Sequence, residues 1–185
     1  MLGFVKYRTP ALYHASASVL APLDRLQEWF LRDLGLNAEE VLEHYKLAPL
    51  NTRRDIAMLG VVFRAVLRRG PQQLWDFFSA RGTSLGPTTR SSDRHEYQLE
   101  TYCTGDHLEV LRRSLFGSVD VFNDLPPAAV EQPTSVRGFQ AQLQALVLFS
   151  AKAGYPNWRT LLNPENLSWQ RRELRSYRGW WATQN

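Results

Sequence analysis

The spacing of apolar positions along the chain predicts a series of helices. Thr9 followed by Pro10 is typical of a helix start, and we expect that helix to run to about Val19. Pro22 then restarts a helix that Gly35 ends. Its apolar residues recur at helical spacing and are Leu23, Leu26, Phe30 and Leu34. We therefore expect two helices separated at Pro22, the second with these residues along one side.

The clearest amphipathic pattern is the stretch "NTRRDIAMLGVVFRAVLRRGP". Asn51 is a good N-cap, and Gly70 before Pro71 predicts a left-handed stop. One side of this helix is apolar and consists of Ile56, Leu59, Phe63, Val66 and Leu67. The opposite side carries Arg53, Arg64 and Arg68 within about 60° of one another. The pattern predicts a helix with an exposed stripe of arginines.

Capping and turn residues divide the rest of the chain. Capping boxes at Asn37–Glu40 and Asp106–Glu109 each predict a helix. Ser135 begins a long helix that Gly154 closes, and Asn163 begins a last one. "PQQLWDFFSA" predicts a short helix, and "RHEYQLETY" alternates with the period of a strand. Because one strand cannot form a sheet alone, this last segment either pairs elsewhere or is a loop.

A polar segment separates the two halves of the chain. Residues 82–93, "GTSLGPTTRSSD", consist mainly of Gly, Ser, Thr and Pro, which predicts a flexible linker. We therefore expect a mostly α-helical protein with two small helical subdomains, residues 1–81 and residues 94–185. At most one or two short strands are expected, and the second subdomain ends in a basic tail rich in tryptophan.

Composition adds information about partners. The chain has 22 Lys and Arg against 18 Asp and Glu, and 19 of the basic residues are Arg. A guanidinium pairs with phosphate through two parallel donors, so this skew favours a nucleic-acid partner. A GC-rich genome that favours arginine codons is the alternative explanation. Cys103 is the single cysteine, which excludes an internal disulfide and indicates a reducing compartment. The apolar runs are too short to span a membrane.

Two groups of arginines are the candidate phosphate contacts. The first group is Arg53, Arg54, Arg64, Arg68 and Arg69. The second is Arg171, Arg172, Arg175 and Arg178, beside Trp169, Trp180 and Trp181, which would stack on bases or contact a protein partner. The simpler interpretations are a solvated helix face and a frayed basic tail, respectively. His95, Cys103 and His107 do not provide the four closely spaced ligands of a zinc site, so we expect neither metal nor cofactor.

Three segments resemble a known family. They are "APLDRLQEWFLRDLGL", "LAPLNTRRDIAMLGVVFRAVLRRGPQQLWDFF" and "RRSLFGSVDVFNDLPPAAVEQPTSVRGFQAQL". In this order, from about Tyr7 to Trp158, they resemble the region after the polymerase core in reverse transcriptases of non-LTR retrotransposons. The resemblance implies a thumb-like first subdomain, with its arginine helix against template and primer. That family's polymerase site requires an Asp-Asp pair and a third carboxylate to hold two metal ions.

The chain has no Asp-Asp pair, and it lacks the endonuclease of that family. The resemblance therefore implies a C-terminal fragment without polymerase activity, and we expect no enzyme. The first hypothesis is a non-catalytic protein that binds RNA or an RNA/DNA hybrid through its phosphates. The second is a retroelement-derived structural subunit of a larger protein assembly, in which Trp180 and Trp181 contact partner proteins. The residue types do not separate RNA from DNA.

The N-terminal sequence bears on location. Residues 1–20 contain no acidic residue, which fits an organellar transit segment as well as an ordinary first helix. A nuclear or cytoplasmic location is favoured, and an organellar one stays open. The sequence also leaves open whether the chain is an autonomous product or part of a longer one.

Overall fold

A computed structural model describes residues 13, 15–78, 95–101, 109–112 and 114–166, and this part of the protein is mostly α-helical, as predicted. It contains eight α-helices: α1 (Ala17–Asp33), α2 (Ala38–Tyr45), α3 (Leu50–Val66), α4 (Gln72–Asp76), α5 (Glu109–Arg112), α6 (Leu115–Asp124), α7 (Pro127–Glu131) and α8 (Val136–Lys152). Short 3₁₀ turns follow at Trp158–Thr160 and Pro164–Asn166. None of the helices in the described part combines the length and hydropathy that crossing a bilayer requires.

Several helix ends form where local residues predict them. The Asn37 side chain accepts from the Glu40 N–H at 2.8 Å, and the Glu40 carboxylate accepts from the Asn37 N–H at 3.0 Å, which completes the capping box of α2. Ser135 Oγ accepts from a first-turn N–H of α8 at 3.1 Å. Gly35 and Gly154 both have the left-handed φ that ends a helix, 69° and 73°. These predictions are confirmed.

Helix α3 lies at the centre of the hydrophobic core, with α6 and α8 packed against it. Phe63 of α3 stacks on Phe139 of α8, with ring centroids 4.3 Å apart and an angle of 14° between the rings. A Cβ added at Gly60 would collide with the side chain of Gln140, so the two helices approach closely there. Helices from both sides of the predicted linker thus share one core. Residues 82–93 lie outside the described residues, and a division at that point stays a prediction.

Three predicted boundaries are wrong. Pro22 lies inside α1 and does not separate two helices. A proline there removes one backbone hydrogen bond, and the remaining bonds continue the helix on both sides. Helix α3 begins at Leu50 with Pro49 as its N-cap residue. The left-handed residue after α3 is Arg68, with φ 52°, and Gly70 has no positive φ.

Helix α1 has an exposed apolar side. Leu26, Phe30 and Leu34 are 48%, 59% and 56% exposed, respectively. The side of α1 that packs on the protein instead carries Gln27 and Leu31, each 7% exposed. Leu26, Phe30 and Leu34, which recur at helical spacing in the sequence, therefore lie on the solvent side of α1.

The segment predicted as a possible strand, in residues 95–101, is held by a side chain. The Leu99 N–H donates to Asn123 Oδ1 at 2.9 Å, and Asn123 Nδ2 donates to the Leu99 carbonyl at 2.8 Å. One amide of α6 thus occupies the place of a neighbouring strand. Gln98 Nε2 adds a bond to the Asn123 carbonyl at 3.0 Å. Leu99 is an isolated β-bridge residue, and the described residues contain no longer strand, so we call residues 95–101 the anchored loop.

The predicted helix around "LEVLRRSLFGSVDVF" is interrupted after α5. Ser114 accepts from the Phe116 N–H at 3.1 Å and acts as the N-cap of α6. A Cβ added at Gly117 would collide with the backbone carbonyl of Arg112. The tight connection between α5 and α6 therefore depends on the missing side chain of Gly117. Asp106, predicted to begin this helix, lies outside the described residues.

Candidate nucleic-acid interface

Arg54, near the N-terminus of α3, is a buried structural group. Its Nη1 and Nη2 lie 2.7 and 2.8 Å from the two carboxylate oxygens of Asp24 in α1. The Arg54 residue is only 5% exposed. Because both arms of the guanidinium are paired with one carboxylate, Arg54 is not presented to a polyanion. The prediction that Arg54 belongs to an exposed stripe of arginines is therefore wrong. The polar side of α3 is covered here by the polar side of α1.

Arg53, beside it, is half-buried. Burial lowers the pKa of its guanidinium, and Nη1 is buried with no hydrogen-bond partner among the described residues. The N-terminal half of the predicted stripe therefore lies largely within the protein. It does not form an open surface for a chain of phosphates.

The remaining three arginines, Arg64, Arg68 and Arg69, are exposed at the C-terminal end of α3. The Arg69 N–H donates to the Arg64 carbonyl at 3.0 Å, and the Arg68 N–H donates to the Ala65 carbonyl at 2.9 Å. These bonds close the helix and bring the three residues into one turn. Arg64 is at the helix end where the macrodipole favours a cation. The left-handed backbone of Arg68 is unfavourable for a residue with a Cβ.

A groove with a volume of about 470 Å³ lies beside Arg68. Its polar and aromatic lining consists of Arg68, Gln72, Trp75, Asp76, Phe78, Glu96, Tyr97 and Gln98. Trp75 Nε1 and Gln98 Oε1 are buried and have no hydrogen-bond partner among the described residues. A Cβ added at Gly70 would lie 3.8 Å from both Trp75 Nε1 and Arg64 Cδ, so Arg64 also lies near Trp75. The groove thus combines the aromatic rings of Trp75 and Tyr97 with one exposed cation, Arg68.

The far wall of this groove is the anchored loop that contains Tyr97 and Gln98. Sequence reasoning did not predict the groove, because Trp75 and Tyr97 are on opposite sides of the predicted linker. The sequence feature that bears on the groove is the period-two alternation of "RHEYQLETY", because it places Tyr97 and Leu99 on one side of an extended segment. It does not show what that side faces.

The second predicted group lies outside the described residues and stays a prediction. It comprises Arg171, Arg172, Arg175, Arg178, Trp169, Trp180 and Trp181. His95 is a core residue: its Nε2 lies 2.9 Å from the Phe122 carbonyl, and burial lowers the pKa of its imidazole. No three His, Cys, Asp or Glu side chains are grouped as metal ligands in the described part of the chain.

No protein-family model, curated protein or solved structure matches this chain. The similarity to reverse transcriptases therefore stays a prediction from motifs, and the functional conclusion depends on the geometry of the arginines and the groove.

Proposed function

We propose that this protein binds RNA or an RNA/DNA hybrid without catalysing a reaction on it, and that it descends from the reverse-transcriptase region that its motifs resemble. The observation that supports this function most strongly is the position of Arg68 in the wall of an aromatic groove, with the exposed Arg64 and Arg69 in the same turn of the chain. Exposed guanidinium groups attract phosphates and release their counterions. Aromatic side chains next to them provide surfaces on which bases stack.

The charges around the groove favour one orientation of the ligand. Asp76 and Glu96 line the groove, so a phosphate placed inside it would be repelled. The backbone of the nucleic acid would therefore follow the arginines, with a base entering the groove. There the rings of Trp75 and Tyr97 would provide the surface on which the base stacks. Bases are accessible in this way in single-stranded segments, which we therefore expect to bind better than a duplex.

The binding test is a fluorescence-anisotropy titration with a labelled single-stranded RNA of about ten nucleotides. Three phosphate contacts predict a slope of about −2 for the logarithm of the association constant against that of the salt concentration. The affinity should therefore fall roughly 16-fold between about 50 and 200 mM salt. Absence of binding at low salt, or binding that ignores salt, would refute the function.

Arg68→Gly and Lys46→Gly form a matched pair of variants. Both residues are exposed and left-handed, with φ 52° and 54°, and each substitution removes one positive charge and relieves backbone strain. Only Arg68 borders the groove. Arg68→Gly should weaken binding and reduce the salt slope by about 0.7, while Lys46→Gly should leave both unchanged. Equal losses in the two variants would mean that net charge, and not this interface, determines binding.

A second candidate function is that of a structural subunit in a larger assembly. The observation that favours it is the apolar stripe on α1, where Val19 is 61% exposed in line with Leu26, Phe30 and Leu34. Apolar surface that is continuous over four helical turns is typical of a protein–protein contact. A stable monomer that purifies without any protein partner would argue against this function.

A further inference from the structure

A second cavity lies at the opposite end of α3 from the groove. It has a volume of about 250 Å³ and is bordered by α1, by the start of α3 and by the 3₁₀ turn Pro164–Asn166. Asp55 lines it and is only 5% exposed. The Tyr13 hydroxyl donates to Asp55 Oδ1 at 2.9 Å. The other oxygen, Oδ2, is buried and has no hydrogen-bond partner among the described residues. A carboxyl oxygen in this position requires a partner.

Among the described residues that line the cavity, Asp55 is the carboxyl group without a cation of its own. Asp24 and Arg54 neutralise each other through their two short hydrogen bonds. Arg112 and Glu165 also line the cavity, with opposite charges. Burial raises the pKa of the Asp55 carboxyl to about 8, although Tyr13 and Arg54 oppose the rise. The isolated protein therefore holds a proton on Asp55 at neutral pH.

We propose that this cavity binds the ammonium group of a small aliphatic amine, which donates a hydrogen bond to Asp55 Oδ2. The cation supplies the missing hydrogen-bond partner and balances the charge of the carboxylate that forms when the Asp55 proton leaves. Ala15, Leu20 and Ala21 form an apolar wall for the alkyl chain. A volume equal to that of about eight water molecules suits a ligand of this size. A single unengaged carboxyl oxygen is too few for Mg²⁺ or Ca²⁺, which take about six oxygen ligands.

Binding of a cation is coupled to the ionisation of Asp55. Below about pH 8 the ammonium group has to displace the Asp55 proton, so the affinity should rise roughly tenfold per pH unit and level off above pH 8. The amine itself stays protonated over this range, because its pKa is near 10.4. One proton should therefore be released per amine bound at about pH 6.5, and almost none at about pH 9.

The probe is n-butylammonium chloride, with n-butanol as the uncharged compound of the same chain length. Isothermal titration calorimetry in buffers of different ionisation enthalpy counts the protons released. Asp55→Asn should abolish amine binding, whereas Asp33→Asn, which neutralises an exposed carboxylate at the end of α1, should not. The proposal is overturned if wild-type protein does not bind the amine, binds butanol equally well, or releases no proton. These wild-type results decide the matter even if Asp55→Asn does not fold, and the RNA titration is independent of them.

Discussion

Replacing Asp55 with Asn is expected to change how the stability of this protein depends on pH. Loss of hydration raises the pKa of the buried Asp55 carboxyl from 3.8 to about 8, while the Tyr13 hydroxyl and the Arg54 guanidinium lower it. The negative charges of Asp24 and Glu165 raise it further. Asparagine has nearly the same shape, and its amide oxygen can still accept from Tyr13. The substitution therefore removes the ionisation while it keeps the known hydrogen bond.

The sign of the effect follows from proton binding. Between pH 3.8 and about 8 the folded protein holds a proton on Asp55 that the unfolded chain has lost. The free energy of unfolding therefore falls as pH rises, by about 1.4 kcal/mol per unit. Between about pH 6.5 and 8 the loss is about 1.7 kcal/mol, which lowers the Tm by about 3–7 °C for a chain of this length. Water that enters the cavity would reduce this value.

Urea denaturation at several pH values between about 6.5 and 8 measures this slope. His95 has little influence there, since burial lowers the pKa of its imidazole and its stability contribution is lost only at more acidic pH. Wild-type protein should lose stability with rising pH, and Asp55→Asn should be flatter and more stable at pH 8. A wild-type stability that stays constant or rises, or an equal slope in the variant, would refute the reasoning.

Two further predictions concern α1 and the anchored loop. If α1 forms a protein contact, light scattering after gel filtration should show wild-type protein in a complex and Phe30→Glu as a monomer. Arg25→Glu, on another side of the helix, should form the same complex as wild-type protein. Equal behaviour of the two variants would exclude this face of α1 as the contact. Asn123→Ala leaves the N–H and C=O of Leu99 without these partners and should lower the free energy of unfolding, measured by urea denaturation, by about 2–4 kcal/mol. Asn123→Asp keeps only the acceptor and should lower it by about half as much. If Asn123→Ala unfolds at the same urea concentration as wild-type protein, the Asn123 amide does not hold the anchored loop in place.

Helix ends were predictable where a few neighbouring residues determine them. The capping box of Asn37 and Glu40 forms within four residues, and the Ser135 cap acts within its own first turn. The left-handed glycines, Gly35 and Gly154, likewise need no distant partner. Such signals are present in the sequence in full, because the interacting atoms belong to adjacent residues.

The direction in which a helix faces was not predictable in this way. Periodicity shows that Leu26, Phe30 and Leu34 share one side of α1, but it does not show that this side faces solvent. The orientation agrees with the pairing of Asp24 and Arg54, 30 positions apart in sequence. The same contact withdrew Arg54 from the predicted surface.

The position of α3 in the core also determines when the protein can fold. Its main partners, α6 and α8, follow it in sequence, and the stacked rings of Phe63 and Phe139 are 76 positions apart. During synthesis, the apolar surface of α3 therefore leaves the ribosome well before the residues that cover it. Contacts of such long sequence separation slow folding and expose the nascent chain to aggregation. Chaperone binding to chains that stop before α8 would be a direct result of this arrangement.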